Sequence, residues 1–293
     1  MILLTLALVA SLDSAVVRQI QVAPGEILRT TVTGSGEPVV LIPGIFGGAY
    51  GYRKIVGPLV KLGYRCIVIE PLGYGRSSYP DGADYSFTAQ AKRVGQVLDS
   101  LGIRQALFIA NSTGAAITLR LALAHPDLVR GILSIDGGPV ESAATPGMKK
   151  AFRFGGFVTK LAVNEGKLRH DVRNEIVKNS GDTTWVTQKV VREYTAGQAA
   201  DVNGAIDAFR SMSKSKETES LRDQLDDIRV PVRLLVGGVP HPSGVKTEER
   251  ELLADRVPDF AFESVAGSGQ YVQEEQPDAV LKALGDLDQA ANK

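Results

Sequence analysis

Residues 107–116, Leu107-Phe108-Ile109-Ala110-Asn111-Ser112-Thr113-Gly114-Ala115-Ala116, set a serine between an apolar run and a stretch of small residues. The pattern predicts a buried strand turning sharply into a helix, a nucleophile elbow that lifts the Ser112 hydroxyl above a sheet. Ala110 and Gly114 leave the room such a turn needs. Asn111 either hydrogen-bonds across the elbow or simply starts the helix. A serine hydroxyl is a poor nucleophile at neutral pH, so acyl-transfer chemistry needs a base for its proton and a third group to orient that base. The chain has only three histidines, His125, His170 and His241.

The elements that must position these groups follow from hydrophobic periodicity. Short apolar runs alternate with amphipathic stretches, the pattern of strands joined by crossover helices in a mostly parallel sheet. Strands are expected at 39–42, 66–69, 106–109, 132–135, 232–236 and 260–265, after a hairpin of 18–22 and 26–32 around Pro24-Gly25. Helices are expected at 91–101, 115–124, around 248–254 and after Pro277, a residue suited to a first helical turn. The fold class is therefore α/β, a mostly parallel central sheet flanked by helices. From 139 to 228 the strand pattern disappears and aromatic residues are scattered among charges, as expected of an inserted helical cap. The expected division is a core of 18–138 and 229–293, a cap of 139–228, and an apolar segment, 1–17, that is either an export signal or an ordinary N-terminal element. The segment lacks Lys and Arg, so cytoplasmic and exported locations weigh equally.

Composition narrows the partners. Thirty-three basic and 33 acidic residues cancel, so no basic field favours nucleic acid or an anionic membrane, and no segment suggests a membrane span. A small molecule is the expected ligand, with no cofactor or metal and no indication of oligomeric state. Cys66 is the only cysteine and lies in an apolar run, the place of a buried structural thiol.

Five motifs resemble the α/β-hydrolase superfamily, in its cap-bearing branch of esterases and epoxide hydrolases. Residues 34–44, ending in Val39-Val40-Leu41-Ile42-Pro43-Gly44, are similar to the family's strand and oxyanion-loop entry. Residues 70–78, beginning Glu70-Pro71-Leu72-Gly73, resemble its loop after the next strand, and residues 125–131 its exit from the helix behind the elbow. Gln273-Glu274-Glu275-Gln276-Pro277 matches the opening of the last helix, and the Ser112 elbow completes the set.

The resemblance implies a serine nucleophile at Ser112, with oxyanion donors at the backbone N–H of Thr113 and of Ile45 or Phe46. It also places the family's histidine in the turn 266–272, where this chain has Gln270. An amide orients a water or ligand but does not accept a proton in the working pH range. The usual acid after Val236 is missing as well. Asp136 and Glu141, at the end of the preceding strand, are substitutes that could face the site, and Asp136 equally suits a turn. His241 could serve as a displaced base for Ser112, or Pro240 and Pro242 could be holding an exposed loop. His125 is expected to be structural and His170 to lie on a solvated helix. Two functions remain open: a serine hydrolase with reduced or non-standard catalysis on a small ester or acyl substrate, and a small-molecule-binding protein that has lost its base. A cofactor-independent lyase or oxygenase, known within the family, would lack the same histidine.

Overall fold

The computed structural model describes residues 14–143 and 163–293. Eight strands form one sheet in the order β1-β2-β4-β3-β5-β6-β7-β8. β1 (Val16–Ala23) and β2 (Glu26–Thr33) make the expected hairpin, and β2 runs antiparallel to β4. The rest of the sheet is parallel: β3 (Glu37–Ile42), β4 (Tyr64–Ile69), β5 (Ala106–Asn111), β6 (Val129–Ile135), β7 (Val232–Gly237) and β8 (Phe260–Val265). β5 is buried at every residue, as a central strand covered on both faces must be, and this is why it reads as an unbroken apolar run.

Helices α1 (Arg53–Lys61), α2 (Phe87–Ser100) and α3 (Thr113–Ala124) connect the first half of the sheet. α2 begins four residues before the expected 91, because Ser86 caps it by accepting from the Ala89 N–H, a local signal that periodicity alone does not carry. Between β6 and β7 the described residues hold helices and no strand: α4 (Glu165–Lys178), α5 (Gln188–Tyr194), α6 (Ala196–Ala200) and α7 (Val202–Lys214). Phe152, Phe154, Phe157 and Leu161 of this insertion lie outside the described residues. α8 (Thr247–Arg256), α9 (Val272–Glu275) and α10 (Pro277–Ala291) complete the chain, with Pro277 in the first turn of α10.

The two faces of the sheet build separate cores, one under α2 and α3 and one under α1 and α10. Cys66 sits in the second, and burial pushes its thiol up to about 12, so it is an inert packing group. A third cluster joins Val172, Ile176, Trp185 and Tyr194 of the insertion to Tyr271 of the core. Among the described residues no helix is long and apolar enough to cross a membrane.

Candidate functional site

The elbow forms where β5 meets α3. Ser112 has φ 52° and ψ −121°, a left-handed region that costs a non-glycine residue about 1–3 kcal/mol and persists only where its surroundings enforce it. They do so on three sides. The Ser112 N–H donates to the Ile135 carbonyl at 2.9 Å. The Asn111 side-chain amide donates to the carbonyls of Ile135 (3.0 Å) and Gln270 (3.2 Å), so it bridges the elbow. Close approach does the rest: a Cβ on Gly114 would stand 2.4 Å from the Ile42 carbonyl oxygen, and one on Gly137 2.4 Å from that of Ser112.

The loop after β3 arches over the elbow. A Cβ on Gly44 would come within 3.1 Å of the Ser112 Cβ, so the backbone there can be only glycine without rearrangement. The Gly47 N–H closes a turn onto the Gly44 carbonyl, which leaves the N–H groups of Ile45 and Phe46 at the tip. Among the described residues neither these amides nor that of Thr113 has a hydrogen-bond acceptor. The far end of the loop is anchored by Glu70, whose buried carboxylate accepts from the N–H groups of Ala49 and Arg76 and pairs with Arg29. Glu70 belongs to a motif visible in the sequence, yet its anchoring role depends on contacts 21 and 41 residues away.

Gln270 is 7% exposed, and its side-chain N–H donates to the Ser112 hydroxyl oxygen at 3.1 Å. The side chain in direct contact with the serine is therefore an amide. Asn179, the wholly buried residue that closes α4, holds this turn through its carbonyl, which accepts from the Gln270 N–H at 2.8 Å. Its side-chain oxygen accepts from the Ser243 N–H at 2.9 Å and so grips the His241 loop as well. Sequence reasoning missed Asn179, because nothing in a helix-ending asparagine announces two distant partners.

The displaced-base reading of His241 is not what the geometry shows. Its Nε2 lies 2.6 Å from Asp136 Oδ2 and its Nδ1 2.7 Å from the Val239 carbonyl oxygen. Both partners are acceptors, an arrangement that favours the doubly protonated ring. Burial opposes that charge, but the Asp136 hydrogen bond, the Val239 carbonyl and the carboxylates of Asp136 and Glu275 outweigh it and raise the His241 pKa. Asp136 sits at φ 47°, and its other oxygen accepts from the Val245 N–H at 2.9 Å. The pair is buried on both sides, with side chains 3% and 0% exposed.

Glu141 is not brought to Ser112. Its carboxylate pairs with buried Arg120 and accepts from the Arg222 N–H. A guanidinium in the core attracts the nearest carboxylate, and Glu141 is that group. His170 is exposed and meets Asn174 on α4, and His125 caps the end of α3.

Ser112, Gln270, Asp136, Thr113, Ile45, Phe46 and Asn111 all line one cavity of about 910 Å³ between the strand ends and the inserted helices. This is the carboxyl-end location where open α/β sheets bind ligands. Its walls are largely apolar, and Phe209 reaches it while stacking edge-on against Phe46 at 5.7 Å. Trp185 packs instead on Tyr194 and Tyr271. Tyr194 also donates to buried Glu274, which Arg53 pairs from the core side. Burial raises the Glu274 pKa despite Arg53. Among the described residues, no three His, Cys, Asp or Glu side chains cluster as a metal site would require.

Known proteins share this fold. A sequence model described as the alpha/beta hydrolase fold matches residues 37–224. A 2-hydroxy-6-oxononadienedioate/2-hydroxy-6-oxononatrienedioate hydrolase of Pseudomonas is 33% identical over 137 residues, 44% of this chain and 48% of its own. Haloalkane dehalogenase 2 of Mycobacterium bovis is 24% identical over 86% of this chain and 87% of its own. Bifunctional epoxide hydrolase 2 of Sus scrofa is 31% identical over 116 residues, 39% of this chain. The matched stretches span 21% of that epoxide hydrolase and about half of the Pseudomonas hydrolase. The solved structure of an epoxide hydrolase, CorEH, superposes with a TM-score of 0.79 at 18% identity and covers 94% of this chain and 98% of its own.

Proposed function

Because the chain belongs to the α/β-hydrolase-fold family, we propose that it is a member that binds a small molecule at Ser112 and turns it over slowly or not at all. The inserted helices of 139–228 act as the cap over a core formed by 18–138 and 229–293. One observation carries the reading: the only side chain hydrogen-bonded to the Ser112 hydroxyl among the described residues is the Gln270 amide. An amide cannot take the serine proton, and His241 has both ring nitrogens engaged elsewhere, by Asp136 and the Val239 carbonyl. Nucleic acid is not an expected partner, given the balanced charge.

A second reading, a serine hydrolase with residual activity on small esters, is favoured by the strained elbow and by the unoccupied amides of Ile45, Phe46 and Thr113. Those features alone retain some catalysis in a triad that has lost a member, about 10³–10⁴-fold over water. The two readings separate on a fluorophosphonate probe and a set of aryl esters. The binding reading expects slow labelling, and ester release no faster than in a Ser112→Ala variant. Rapid, stoichiometric labelling of Ser112 would overturn it in favour of the hydrolase.

A further inference from the structure

Gln270 reaches Ser112 from a turn that the insertion, and not the sheet alone, holds in place. Residues 179–182, where α4 ends, lie directly against the turn 267–270. A Cβ on Gly181 would stand 2.8 Å from the Gly267 carbonyl oxygen, and one on Gly269 2.2 Å from that of Asn179. The two backbones approach this closely because neither carries a side chain at the contact. The turn also meets β7, where a Cβ on Gly237 would come within 2.3 Å of the Gly269 carbonyl oxygen. It is thus held by the end of a core strand and by the end of an inserted helix.

One carboxylate joins the insertion to the turn. Glu275 Oε2 accepts from the N–H groups of Gly181 at 2.7 Å and Asp182 at 2.8 Å, both in the insertion. The same oxygen accepts from the Gly269 N–H at 3.2 Å, immediately before Gln270. The next N–H, that of Gln270 itself, donates to the Asn179 carbonyl at 2.8 Å. Consecutive amides of the turn are therefore tied to the insertion, the first through Glu275 and the second directly. Bonds to an ionised acceptor are roughly twice as strong as neutral ones, so Glu275 is the stronger tie. An apolar contact runs beside it, Trp185 of the insertion packing on Tyr271 at 5.4 Å. Glu275 lies outside the cavity lining, so it acts on the site only through this backbone.

We infer that Glu275 is a positioning residue that makes the Gln270–Ser112 contact conditional on docking of the insertion. With residues 179–182 seated the amide is held on the serine, and when they lift the freed turn carries Gln270 away. Leu168 and Val172 of α4 line the cavity, so a molecule that displaces this helix also displaces Gln270. The inference goes beyond the binding reading, since it holds whether the pocket only binds its ligand or also cleaves it.

The side-chain amide resonances of Gln270 in isotope-labelled protein read the contact directly. They are assigned by their loss in Gln270→Ala and should shift in Ser112→Ala, which removes the acceptor. In Glu275→Ala they should move toward the positions seen in Ser112→Ala. The Gly269 and Gln270 backbone amides should also exchange with solvent about tenfold faster, the worth of one hydrogen bond to a charged group. Glu275→Gln, which keeps an acceptor oxygen, should restore most of the parent pattern. Gly181→Ala presses the insertion off the turn without altering Glu275, and gives the same shift if the Glu275→Ala chain does not fold. Continued protection of the β5 amides shows that the core is intact. Faster exchange at Gly181 and Asp182 with the Gln270 amide unmoved overturns the inference, because Glu275 then anchors the insertion alone, and leaves the binding reading standing. A Gln270 amide that does not respond to Ser112→Ala removes the contact on which both rest. Rapid labelling of Ser112 in the parent chain overturns the binding reading alone.

Discussion

Ser112 and Asp136 line one cavity and His241 packs against Asp136, so a serine, a histidine and an aspartate are wired into separate pairs. On one side Ser112 meets Gln270 in a neutral contact at 3.1 Å. On the other Asp136 and His241 form a charged pair at 2.6 Å with almost no exposure. The three residue types of a catalytic triad are all present in one neighbourhood, yet the imidazole has been spent on the acid and an amide stands beside the nucleophile. Catalytic capacity therefore depends on which pairs form, and an inventory of residue types does not reveal it. The Asp136 side of the cavity also helps hold the β6 and β7 ends together.

The largest effect should come from breaking the charged pair. Asp136→Ala leaves an imidazolium buried without its counter-charge, removes the acceptor for the Val245 N–H, and sets alanine at a φ of 47°. Loss of one partner of a buried pair costs about 3–5 kcal/mol, measurable by urea denaturation. A loss under about 1 kcal/mol would mean that the pair is not charged and that His241 is a neutral imidazole.

Next in size is the neutral pair, where the change is read in rate. Gln270→His restores a base in contact with Ser112, and general-base catalysis is worth about 10²-fold or more, some 2.7 kcal/mol of barrier. Aryl-ester hydrolysis should rise by that factor over the parent chain. The gain should stop well short of a full triad because Asp136 is held by His241. Adding His241→Ala, which frees Asp136, should raise the rate again if the carboxylate reaches the new imidazole. An unchanged rate in the double variant would place the two sides of the cavity out of each other's reach.

The contrast also explains what the sequence could and could not show. The strands β3 to β7 were legible because central parallel strands are largely apolar runs, and the elbow because the turn demands small neighbours at Ala110 and Gly114. Gln270 stood out in the turn before the last helix, and its side chain meets Ser112. The Asp136–His241 pair was visible only as two unconnected candidates, being 105 residues apart and formed by loops with no periodicity. Glu141 looked equivalent to Asp136 in sequence, and only the buried Arg120 across the core separates them. Glu70 and Asn179 position the site through side-chain bonds to distant backbone, which leaves no pattern in the residues beside them.

The smallest effect expected is on pH dependence, and it isolates the charged pair. The His241 pKa is raised in the folded chain above the ordinary value of 6.5, so the folded state binds that proton more tightly than the unfolded state does. Its contribution to stability is complete below about pH 6.5 and is lost as pH rises through the raised folded value. The opposing term, burial of the imidazolium, is already contained in that net direction. Glu274 and Glu275 are also raised, from 4.5, so their contributions begin to fall at more acid pH. Urea midpoints followed from about pH 6 to 9 should therefore decline in the parent chain and decline less in His241→Gln, whose amide can still donate to Asp136 or accept from a neighbour without titrating. A steady midpoint in the parent over that range would mean that His241 carries the same charge folded and unfolded. His241 would then be largely neutral at physiological pH, and the buried Asp136 carboxylate would lack its counter-charge.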